Sequence, residues 1–466
     1  MSITDNPGGN AMINPDTLGT DLLARGQEVV IHLSCKDWNR NALQSRGWQL
    51  ASEGFNNILA LSGDFPVGGY QGHASGVFDM DSVGLLKMYS EMNSGMRVNN
   101  GNPTRRMEST RFFLGAVVSN HKKHEREVVP QYLKLIKKIE NGAGFIVNQI
   151  GYDSRKQDEL LRYLHLRKQA VPVIANVYVL SLAAARAFHA GKVPGCVVTE
   201  ELLALVERQA QSPDKGKRFF LEFAARQCVI ARGLGFRGVY LGGYLRCEEY
   251  EKILEIANTF TDTDWRDFAK EIQYPQAGEF YFFEPDVSSG LNSPEINQEY
   301  VRSKTAEARH ELKKSVSSMY KLNRVIHNAI FEKGSPGFAI GKKLAQAAER
   351  KGPRASQAFH IVEQAFKMPA FDCRDCGDCS LPDIAFLCPE SQCAKNERNG
   401  PCGGTRDGKC EVGDKECIWA LAYDRLKAYG EEEAMLERPV IIKDARLKGT
   451  SSWMNTFLEK DHPFKR

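Results

Sequence analysis

Seven short apolar runs separated by amphipathic segments organise the first 257 residues. They predict strands near residues 2–4, 28–35, 56–64, 112–119, 144–151, 171–179 and 238–244. Most of these runs are nearly continuous in apolar residues, which is typical of parallel strands buried on both faces. Helical periodicity lies between them, for example at residues 130–142 and 220–235. This alternation predicts a (β/α) barrel or a doubly wound sheet.

Polar residues stand at or just after the ends of these apolar runs. They are Thr4, Asp5, His32, Asp64, Asn120, Gln149 and Asn176. In a barrel, the carboxyl ends of the strands carry the active site. Seven strands are one fewer than a closed barrel needs, and we expect the absent first strand to belong before residue 1. The expected fold class is therefore α/β, a (β/α)8 TIM-type barrel lacking its first strand, plus a small cysteine-rich metal-binding C-terminal domain.

The pattern changes after the last apolar run. Residues 258–300 have no clear periodicity, and 301–332 and 338–351 are amphipathic and helical. We predict a barrel at 1–257, a partly helical connector at 258–351, and a cysteine-rich domain at 352–466 that includes a helix at 419–435.

Composition and charge exclude several classes of function. The net charge of +4 is small for 466 residues, so no nucleic-acid partner is indicated. The N-terminus has neither the basic nor the apolar segment of a signal peptide, and no apolar run approaches the length of a membrane span. We therefore expect a cytoplasmic protein, in which clustered cysteines are more typical of metal ligands than of disulfides.

Eight of the twelve cysteines fall between Phe371 and Trp419. They are Cys373, Cys376, Cys379, Cys388, Cys393, Cys402, Cys410 and Cys417. Four thiolates complete one tetrahedral zinc site or one [4Fe–4S] cluster, so eight predict two sites of either kind. Which four share a site is not determined by the spacing. The scattered Cys35, Cys196, Cys228 and Cys247 are interpreted as small buried hydrophobes.

Other polar residues allow two interpretations each. Asp64 ends an apolar run and is either a turn cap or a catalytic carboxylate, whereas His32 is typical of a core histidine. The amide of Gln149 suits hydrogen bonding to a heterocycle. Adjacent Lys137 and Lys138 are typical of a solvated helix face. The string at 233–238 matches a dinucleotide fingerprint, but it follows a helix and precedes a strand, which predicts a helix C-cap and turn instead.

Together these stretches resemble the methylenetetrahydrofolate reductase family. The matching segments are SITDNPGGN, VVIHLSCKDWNRNALQS, NNILALSGDFP, VFDMDSVGLL, KKIENGAGFIVNQ and VPVIANV. The string CGDCSLPDIAFLCPESQCAKNERNGPCGG and the tail SSWMN resemble the cysteine-rich domain that is fused to, or partnered with, some bacterial members. The resemblance implies a flavin-dependent barrel fused to a zinc- or iron–sulfur-binding domain.

The resemblance also implies roles for individual residues. Asp64 matches the aspartate near the flavin that stabilises the iminium cation of the folate, and Gln149 matches the glutamine that binds the pterin. The implied flavin contacts are Thr4, His32, Gly63, Asp64, Ala116 and Lys138. The implied cofactors are a flavin (FAD in preference to FMN) and two [4Fe–4S] clusters or zinc ions, with NAD(P)H or a ferredoxin-type protein as electron donor.

The expected activity is that of an oxidoreductase acting on CH–NH donors in one-carbon metabolism and methionine biosynthesis. It reduces 5,10-methylenetetrahydrofolate to 5-methyltetrahydrofolate. The sequence leaves the oligomeric state open, with a homo-oligomer as one option. The alternative is a non-catalytic electron-transfer or assembly subunit, or a folate-dependent methyl-transfer protein without flavin. The first alternative is motivated by the lack of a counterpart for the family's acid–base glutamate. In the family this glutamate lies on the first strand, which would precede residue 1 here.

Overall fold

A seven-stranded parallel sheet is the centre of the barrel in the computed structural model, which describes residues 1–97 and 106–464. Its strands follow one another in chain order from β1 to β7, each paired in parallel with the next. They are β1 (Ser2–Ile3), β2 (Val30–Ser34), β3 (Asn57–Leu61), β4 (Phe113–Val118), β5 (Phe145–Asn148), β6 (Val173–Tyr178) and β7 (Gly238–Gly242). All seven predicted strands are confirmed.

Helices connect and cover the strands, as the alternating pattern predicts. In the first half of the chain they are α1 (Pro15–Ala24), α2 (Arg40–Ser52), α3 (Ser82–Asn93), α4 (Glu125–Glu140), α5 (Ser154–Leu166), α6 (Leu182–His189), α7 (Glu200–Gln209), α8 (Lys217–Leu234), α9 (Cys247–Thr259) and α10 (Trp265–Glu271). The sheet and these helices form a TIM-type α/β fold that is one strand short, which confirms the predicted fold class.

The second half of the chain is mainly helical. It contains α11 (Gln298–Ser303), α12 (Ala306–Ser315), α13 (Ser318–Ile326), α14 (Pro336–Lys351), α15 (Pro353–Phe371), α16 (Pro389–Gln392), α17 (Ile418–Lys427), α18 (Ala434–Glu437) and α19 (Ser452–Phe457). A π-helical turn, His327–Phe331, joins α13 to the loop before α14. Among the described residues, no helix is both long and apolar enough to cross a membrane.

Side chains alternate between two apolar layers along each strand. Ile31, Ile58 and Ala116 belong to the large core between the sheet and its helices. Leu59, Phe145 and Val147 form a smaller cluster on the other face, inside the curled sheet, with partly buried neighbours from β2, β4, β6 and β7. Burial on both faces explains why the strands are nearly continuous in apolar residues.

Local signals explain where two of the helices begin or end. The side chain of Asp81 accepts hydrogen bonds from the backbone N–H groups of Val83 and Gly84 and so caps α3. Gly235 ends α8 with φ of +101°, a left-handed conformation that favours glycine, and β7 begins three residues later. The glycine-rich string is therefore a helix C-cap and turn, as the sequence predicts.

The segment at 258–300 is more regular than its sequence pattern indicates. It contains an antiparallel hairpin of β8 (Phe283–Asp286) and β9 (Leu291–Ile296). The hairpin packs on α5, where Asp158 accepts hydrogen bonds from the backbone N–H and the side-chain amide of Asn292. The helix predicted at 419–435 is shorter in the structure. Helix α17 ends at Lys427, and a turn follows in which Gly430 has a φ of +74°.

Glu279, just before this hairpin, should make the stability of the fold depend on pH. Burial raises the pKa of its carboxyl to about 7, with the charge of Lys156 opposing the shift. Because the folded-state pKa lies above the unfolded value, the stabilising contribution is complete below about pH 4.3 and is lost as the pH rises through about 7.

Glu279→Gln should therefore unfold at a higher urea concentration than the wild type at pH 8, and at a similar concentration at pH 4.5. Equal effects at the two pH values would show that Glu279 is not protonated preferentially in the fold. The exposed Glu295, in the neighbouring hairpin, supplies the matched Glu→Gln control.

Candidate functional site

A cavity of about 680 Å³ lies beside Asp64 at the carboxyl ends of the strands. Its volume is in the range of small-molecule sites. One wall contains Gly8, Asp64 and the segment 65–67, and a second contains residues 190–197, which follow α6. The third wall is residues 404–407 and 410–413 of the cysteine-rich domain. The cavity is therefore built by two parts of the chain that are far apart in sequence.

Asp64 is held by the polypeptide just after β1. Its Oδ2 accepts a hydrogen bond of 2.8 Å from the backbone N–H of Gly8. Asp64 follows Gly63, whose φ of +88° places it in the left-handed region. A Cβ at residue 63 would lie 2.9 Å from the Cβ of Ser34, so only glycine fits between β3 and the end of β2 at this position. This turn directs Asp64 to the cavity.

Gln149 lies behind the wall formed by Gly195 and Cys196. A Cβ on Gly195 would approach Nε2 of Gln149 to 2.9 Å, and the sulfur of Cys196 is 3.9 Å from its Oε1. Burial and the nearby charge of Asp64 raise the pKa of Cys196 to about 12. Asp64 and Cys196 line the cavity, whereas Gln149 lies behind Cys196 and does not line it, so a contact between Gln149 and a ligand stays a prediction. Cys196 is buried, as predicted, but its place at the cavity has no signal in the sequence.

Four cationic side chains line the cavity, alongside four carboxylates, Asp64, Glu127, Asp407 and Glu411. Lys122 donates hydrogen bonds to the carbonyl oxygens of Gly403, at 2.7 Å, and Thr405. Burial lowers the pKa of Lys122, although the carboxylate of Glu127 acts in the opposite direction. Lys123, Lys192 and Arg406 also line the cavity and are less buried. These cations suit a ligand that carries carboxylates or phosphates.

His121 supplies a neutral polar group to the cavity wall. Burial, helped by the charge of Lys156, lowers its pKa to about 3, so the imidazole is uncharged at neutral pH. Within residues 1–97 and 106–464, its buried Nε2 has no hydrogen-bond partner. The ring edge that bears Nε2 packs against Gly151, where a Cβ would lie 2.2 Å from this nitrogen.

Lys395 links the cysteine-rich domain to the residue before Asp64. Its ammonium donates a 2.7 Å hydrogen bond to the carbonyl oxygen of Gly63 and forms an ion pair with Glu411. Burial disfavours the charge, but Cys402, Glu411 and Asp64 raise the net pKa of Lys395 above its usual value. A permanent positive charge is therefore buried next to Asp64. Neither Lys395 nor Glu411 is predicted as a site residue from the sequence.

The five other residues predicted to contact flavin do not line this cavity. Thr4 is exposed after β1, and Ala116 faces the helices. His32 is buried, with Nε2 2.7 Å from the hydroxyl of Ser2, and burial lowers its pKa to about 4. The carbonyl oxygen of Gly63 accepts from Lys395. The ammonium of Lys138 donates to the carbonyl oxygen of Val117 at 2.7 Å, and burial lowers its pKa to about 7.

Intramolecular contacts thus engage polar atoms of His32, Gly63 and Lys138. As placed, the five residues do not form a common surface for a flavin, and their contacts with one stay predictions.

Helix α4 is buried where the sequence predicts a solvated face. Lys137 and Lys138 are both buried, so the solvated-face interpretation is wrong. Lys137 donates to the carbonyl oxygen of Met435, and Gln131 donates to that of Cys402 at 2.6 Å. The cause is the cysteine-rich domain, which covers this helix and provides carbonyl oxygens for its amine and amide groups.

Two other contacts fix the loop 397–402 on the barrel. Lys134 donates to Glu397 at 2.6 Å and to the carbonyl oxygen of Gly400 at 3.1 Å. The carboxylate of Asp81 accepts from the backbone N–H groups of Arg398 and Asn399 as well as capping α3. The loop that carries Cys402 is therefore attached to the barrel by buried charged groups.

The eight clustered cysteines fall into two spatial groups. Cys373, Cys376, Cys379 and Cys388 line one cavity, where the ammonium of Lys367 lies 3.3 Å from the sulfur of Cys379. Cys393, Cys402, Cys410 and Cys417 form the second group. After burial, the thiol of Cys417 contributes to the raised pKa of Cys393 and of Cys410, and Cys393 contributes to that of Cys402. The first four cysteines of the cluster in chain order form one group and the last four form the other. The sequence spacing of the cysteines does not determine this assignment.

All twelve cysteines are free of disulfides. Of the four scattered ones, Cys35, Cys196 and Cys228 are buried as predicted, whereas Cys247 is exposed, so that interpretation is wrong for Cys247. In the part of the chain that the structure describes, no three His, Cys, Asp or Glu side chains are positioned to share a single metal ion. The second group is the one beside the Asp64 cavity, because Cys410 lines that cavity and Cys402 is close to both Lys122 and Lys395.

Comparison with known proteins gives a consistent assignment. The model of the methylenetetrahydrofolate reductase family matches residues 1–256, and the model described as methylene-tetrahydrofolate reductase C terminal matches residues 353–446. No curated protein matches the sequence significantly.

One solved structure is described as "Uncharacterized protein from Clostridium thermocellum binds two copies of 5-methyl-5,6,7,8-tetrahydrofolic acid". It is 13% identical and covers 53% of this chain and 78% of its own, with a TM-score of 0.36, which is too low to support an argument. The family match spans more than half of the sequence and includes Asp64 and the strands that position it. The chain belongs to the methylenetetrahydrofolate reductase family.

Proposed function

We propose that this chain reduces 5,10-methylenetetrahydrofolate to 5-methyltetrahydrofolate in the Asp64 cavity, using electrons that pass through its cysteine-rich domain. The observation that carries the proposal is the shared cavity. Asp64 forms part of one wall, and the segment with Cys410 and Glu411 forms another. The family match supports a folate as the substrate.

The residues of the cavity suit the charge changes of this reaction. Ring opening of the substrate gives an iminium cation, which is the form that accepts electrons and a proton at its one-carbon unit. The carboxylate of Asp64 offsets that positive charge in a site partly closed to water. The neutral amide of Gln149 can hold the pterin without repelling the cation. Lys123, Lys192 and Arg406 can pair with the carboxylates of the folate tail.

The two cysteine groups are proposed to hold [4Fe–4S] clusters, with zinc as the alternative. Each group offers four thiolates, and a cluster bound there supplies one-electron transfer. All four thiols of the first group line one small cavity of about 20 Å³, which is the observation behind their assignment to a single site. The buried ammonium of Lys367, paired with Glu363 and close to Cys379, would offset the negative charge of four thiolates. A ferredoxin-type protein is the proposed donor.

A flavin, with FAD preferred to FMN, remains the proposed source of hydride in the cavity. Of the residues assigned to it by family resemblance, Asp64 lines the cavity, but polar atoms of His32, Gly63 and Lys138 bond within the chain, so we derive no step through it. NAD(P)H as the primary donor is the alternative to the electron path through the cysteine groups. The proposed assignments of metal, flavin and donor can be tested separately from one another.

Cys402→Ser tests the electron path. We expect anaerobically purified wild-type protein to contain about eight iron atoms and as many labile sulfides per chain, and the variant about half. Donor-dependent reduction of methylenetetrahydrofolate should fall by about 10²-fold or more, while folate binding measured by calorimetry stays unchanged. Cys247→Ser, at the exposed cysteine outside both groups, is the control and should match the wild type.

A wild-type protein with two zinc ions and no iron would contradict the electron path. Full activity of Cys402→Ser with a ferredoxin-type donor would do the same. Loss of folate binding in this variant would instead show that the loop shapes the cavity.

The structure also gives a reason to test the non-catalytic alternative. Three of the predicted flavin contacts use their polar atoms within the chain, at His32, Gly63 and Lys138. A subunit that only transfers electrons or assembles with others would keep the cysteine groups without needing a flavin. Such a protein would hold iron but neither bind flavin nor turn over methylenetetrahydrofolate under any reductant.

A further inference from the structure

The carboxylate of Asp64 lines the cavity without a cation of its own. It accepts the hydrogen bond from the backbone N–H of Gly8, and it forms no ion pair with any residue that the structure describes. The proposed reaction needs this negative charge, because the carboxylate is to offset the iminium cation of the folate. The site therefore depends on keeping the cations of the protein away from Asp64.

A buried cation lies close to this carboxylate. The ammonium of Lys395 donates its 2.7 Å hydrogen bond to the carbonyl oxygen of Gly63, the residue directly before Asp64. Burial opposes the charge of Lys395, but Cys402, Glu411 and Asp64 raise its net pKa. The Lys395 side chain is only 6% exposed, so water screens its charge weakly.

Glu411 is the residue that pairs with this ammonium. It forms an ion pair with Lys395, lines the Asp64 cavity, and is 9% exposed. A Cβ at Gly404 would lie 2.1 Å from Oε2 of Glu411, so glycine leaves the space that the carboxylate fills. Among the described residues neither oxygen of Glu411 has a hydrogen-bond partner, which makes the ion pair with Lys395 its main polar contact.

The pair has a consequence for the charge that faces the cavity. The charges of Lys395 and Glu411 cancel, which leaves the negative charge of Asp64 for a ligand. Lys122 is another buried cation of this region, but its ammonium donates to the carbonyl oxygens of Gly403 and Thr405. Without Glu411, the positive charge of Lys395 would act on Asp64 and would oppose any cation that binds there.

We propose that Glu411 is a positioning residue of the Asp64 site, which pairs with Lys395 and so keeps the carboxylate of Asp64 available to a cationic folate. This inference rests on the proposed function for the class of ligand. It does not depend on electron transfer, because it concerns charges that are present whether or not the cysteine groups carry electrons. It gives the cysteine-rich domain a part in ligand binding, since both members of the pair belong to that domain.

The binding of two folates to the full chain, purified anaerobically, tests this role by calorimetry. 5,10-Methenyltetrahydrofolate carries a delocalised positive charge on its one-carbon unit, whereas 5-methyltetrahydrofolate is uncharged there. In mildly acidic buffer, in which the methenyl compound persists, Glu411→Gln should weaken its binding by about 10-fold or more, because Lys395 then opposes the charge of the ligand. The affinity for 5-methyltetrahydrofolate should stay close to that of the wild type.

The double variant Glu411→Gln/Lys395→Met separates this role from a purely structural one. It removes both charges, so it should restore the affinity for the methenyl compound to within about threefold of the wild type. A purely structural role predicts no such recovery, because the double variant also loses the hydrogen bond to Gly63. Circular dichroism and metal content should match the wild type in both variants.

Glu416→Gln is the matched control. Glu416 is also next to a cysteine of the second group, Cys417, but its side chain is 50% exposed and does not line the cavity. This change should leave both affinities as they are. Wild-type affinity of Glu411→Gln for the methenyl compound would overturn the inference, and so would a loss that the double variant does not recover.

The same measurements distinguish a failure of this inference from a failure of the proposed function. A chain that binds both folates but reduces no methylenetetrahydrofolate would contradict the proposed reaction alone, and the binding comparison would still decide the role of Glu411. A wild type that binds neither folate would overturn both.

Discussion

Asp64→Asn should lower the rate of methylenetetrahydrofolate reduction by about 10²-fold or more, the scale for losing a key electrostatic group. Asparagine keeps an oxygen that can accept the 2.8 Å hydrogen bond from Gly8, so the turn after β3 should be preserved. The variant loses only the negative charge that would offset the iminium cation. The effect should therefore appear in kcat, with little change in folate affinity.

Asp407→Asn supplies a matched control for this experiment. Asp407 lines the same cavity, and its side chain is 54% exposed, so water screens its charge. Its substitution should change kcat by no more than a few-fold. Full activity of Asp64→Asn would remove this carboxylate from the mechanism. Equal losses in both variants would indicate a general dependence on the negative charge of the cavity rather than a role for Asp64.

Lys134→Met should produce the largest loss of stability among single substitutions at the interface between the barrel and the cysteine-rich domain. The side chains of Lys134 and Glu397 are each only 1% exposed. Burial opposes the charge of Lys134, but Glu397 and Asp81 raise its net pKa above the usual value. Removing the ammonium leaves buried carboxylates without their cation, which costs about 3–5 kcal/mol in the free energy of unfolding.

The double variant Lys134→Met/Glu397→Gln should recover part of this loss, because the uncompensated charge of Glu397 is then removed. Arg25→Met is the control for an exposed ion pair. Arg25 and Asp21 are 69% and 66% exposed, so this change should cost less than about 1 kcal/mol. Urea denaturation measures all three. A cost below about 1 kcal/mol for Lys134→Met would show that water reaches the Lys134–Glu397 pair.

The barrel was predictable because its strands carry a strong local signal. Runs such as residues 28–35 are apolar on both faces since each strand lies between two buried layers. The hairpin of β8 and β9 has no such signal. Its two strands include polar residues and one proline each, and they are stabilised by contacts with α5 that the local sequence does not encode. Helix α4 shows the same limit, because its lysines are buried by a domain some 260 residues away.

The candidate site divides in a similar way. Asp64 could be predicted, since a carboxylate after an apolar strand falls at the edge where parallel barrels bind ligands. Lys395, Glu411 and Cys196 could not, because they reach the cavity from loops whose positions depend on the packing of two domains. The grouping of the cysteines also depends on the folded path of the chain rather than on their spacing.

The cavity wall formed by residues 404–413 has a consequence for biosynthesis. The ribosome adds about 5–20 residues per second. The barrel sequence, which ends near residue 256, is therefore complete roughly 8–30 s before this wall has been synthesised. During that interval the ligand cavity lacks one side, and Lys134 lacks its partner Glu397. Translation thus completes the cavity last, and a chain that terminates before residue 404 would lack this wall.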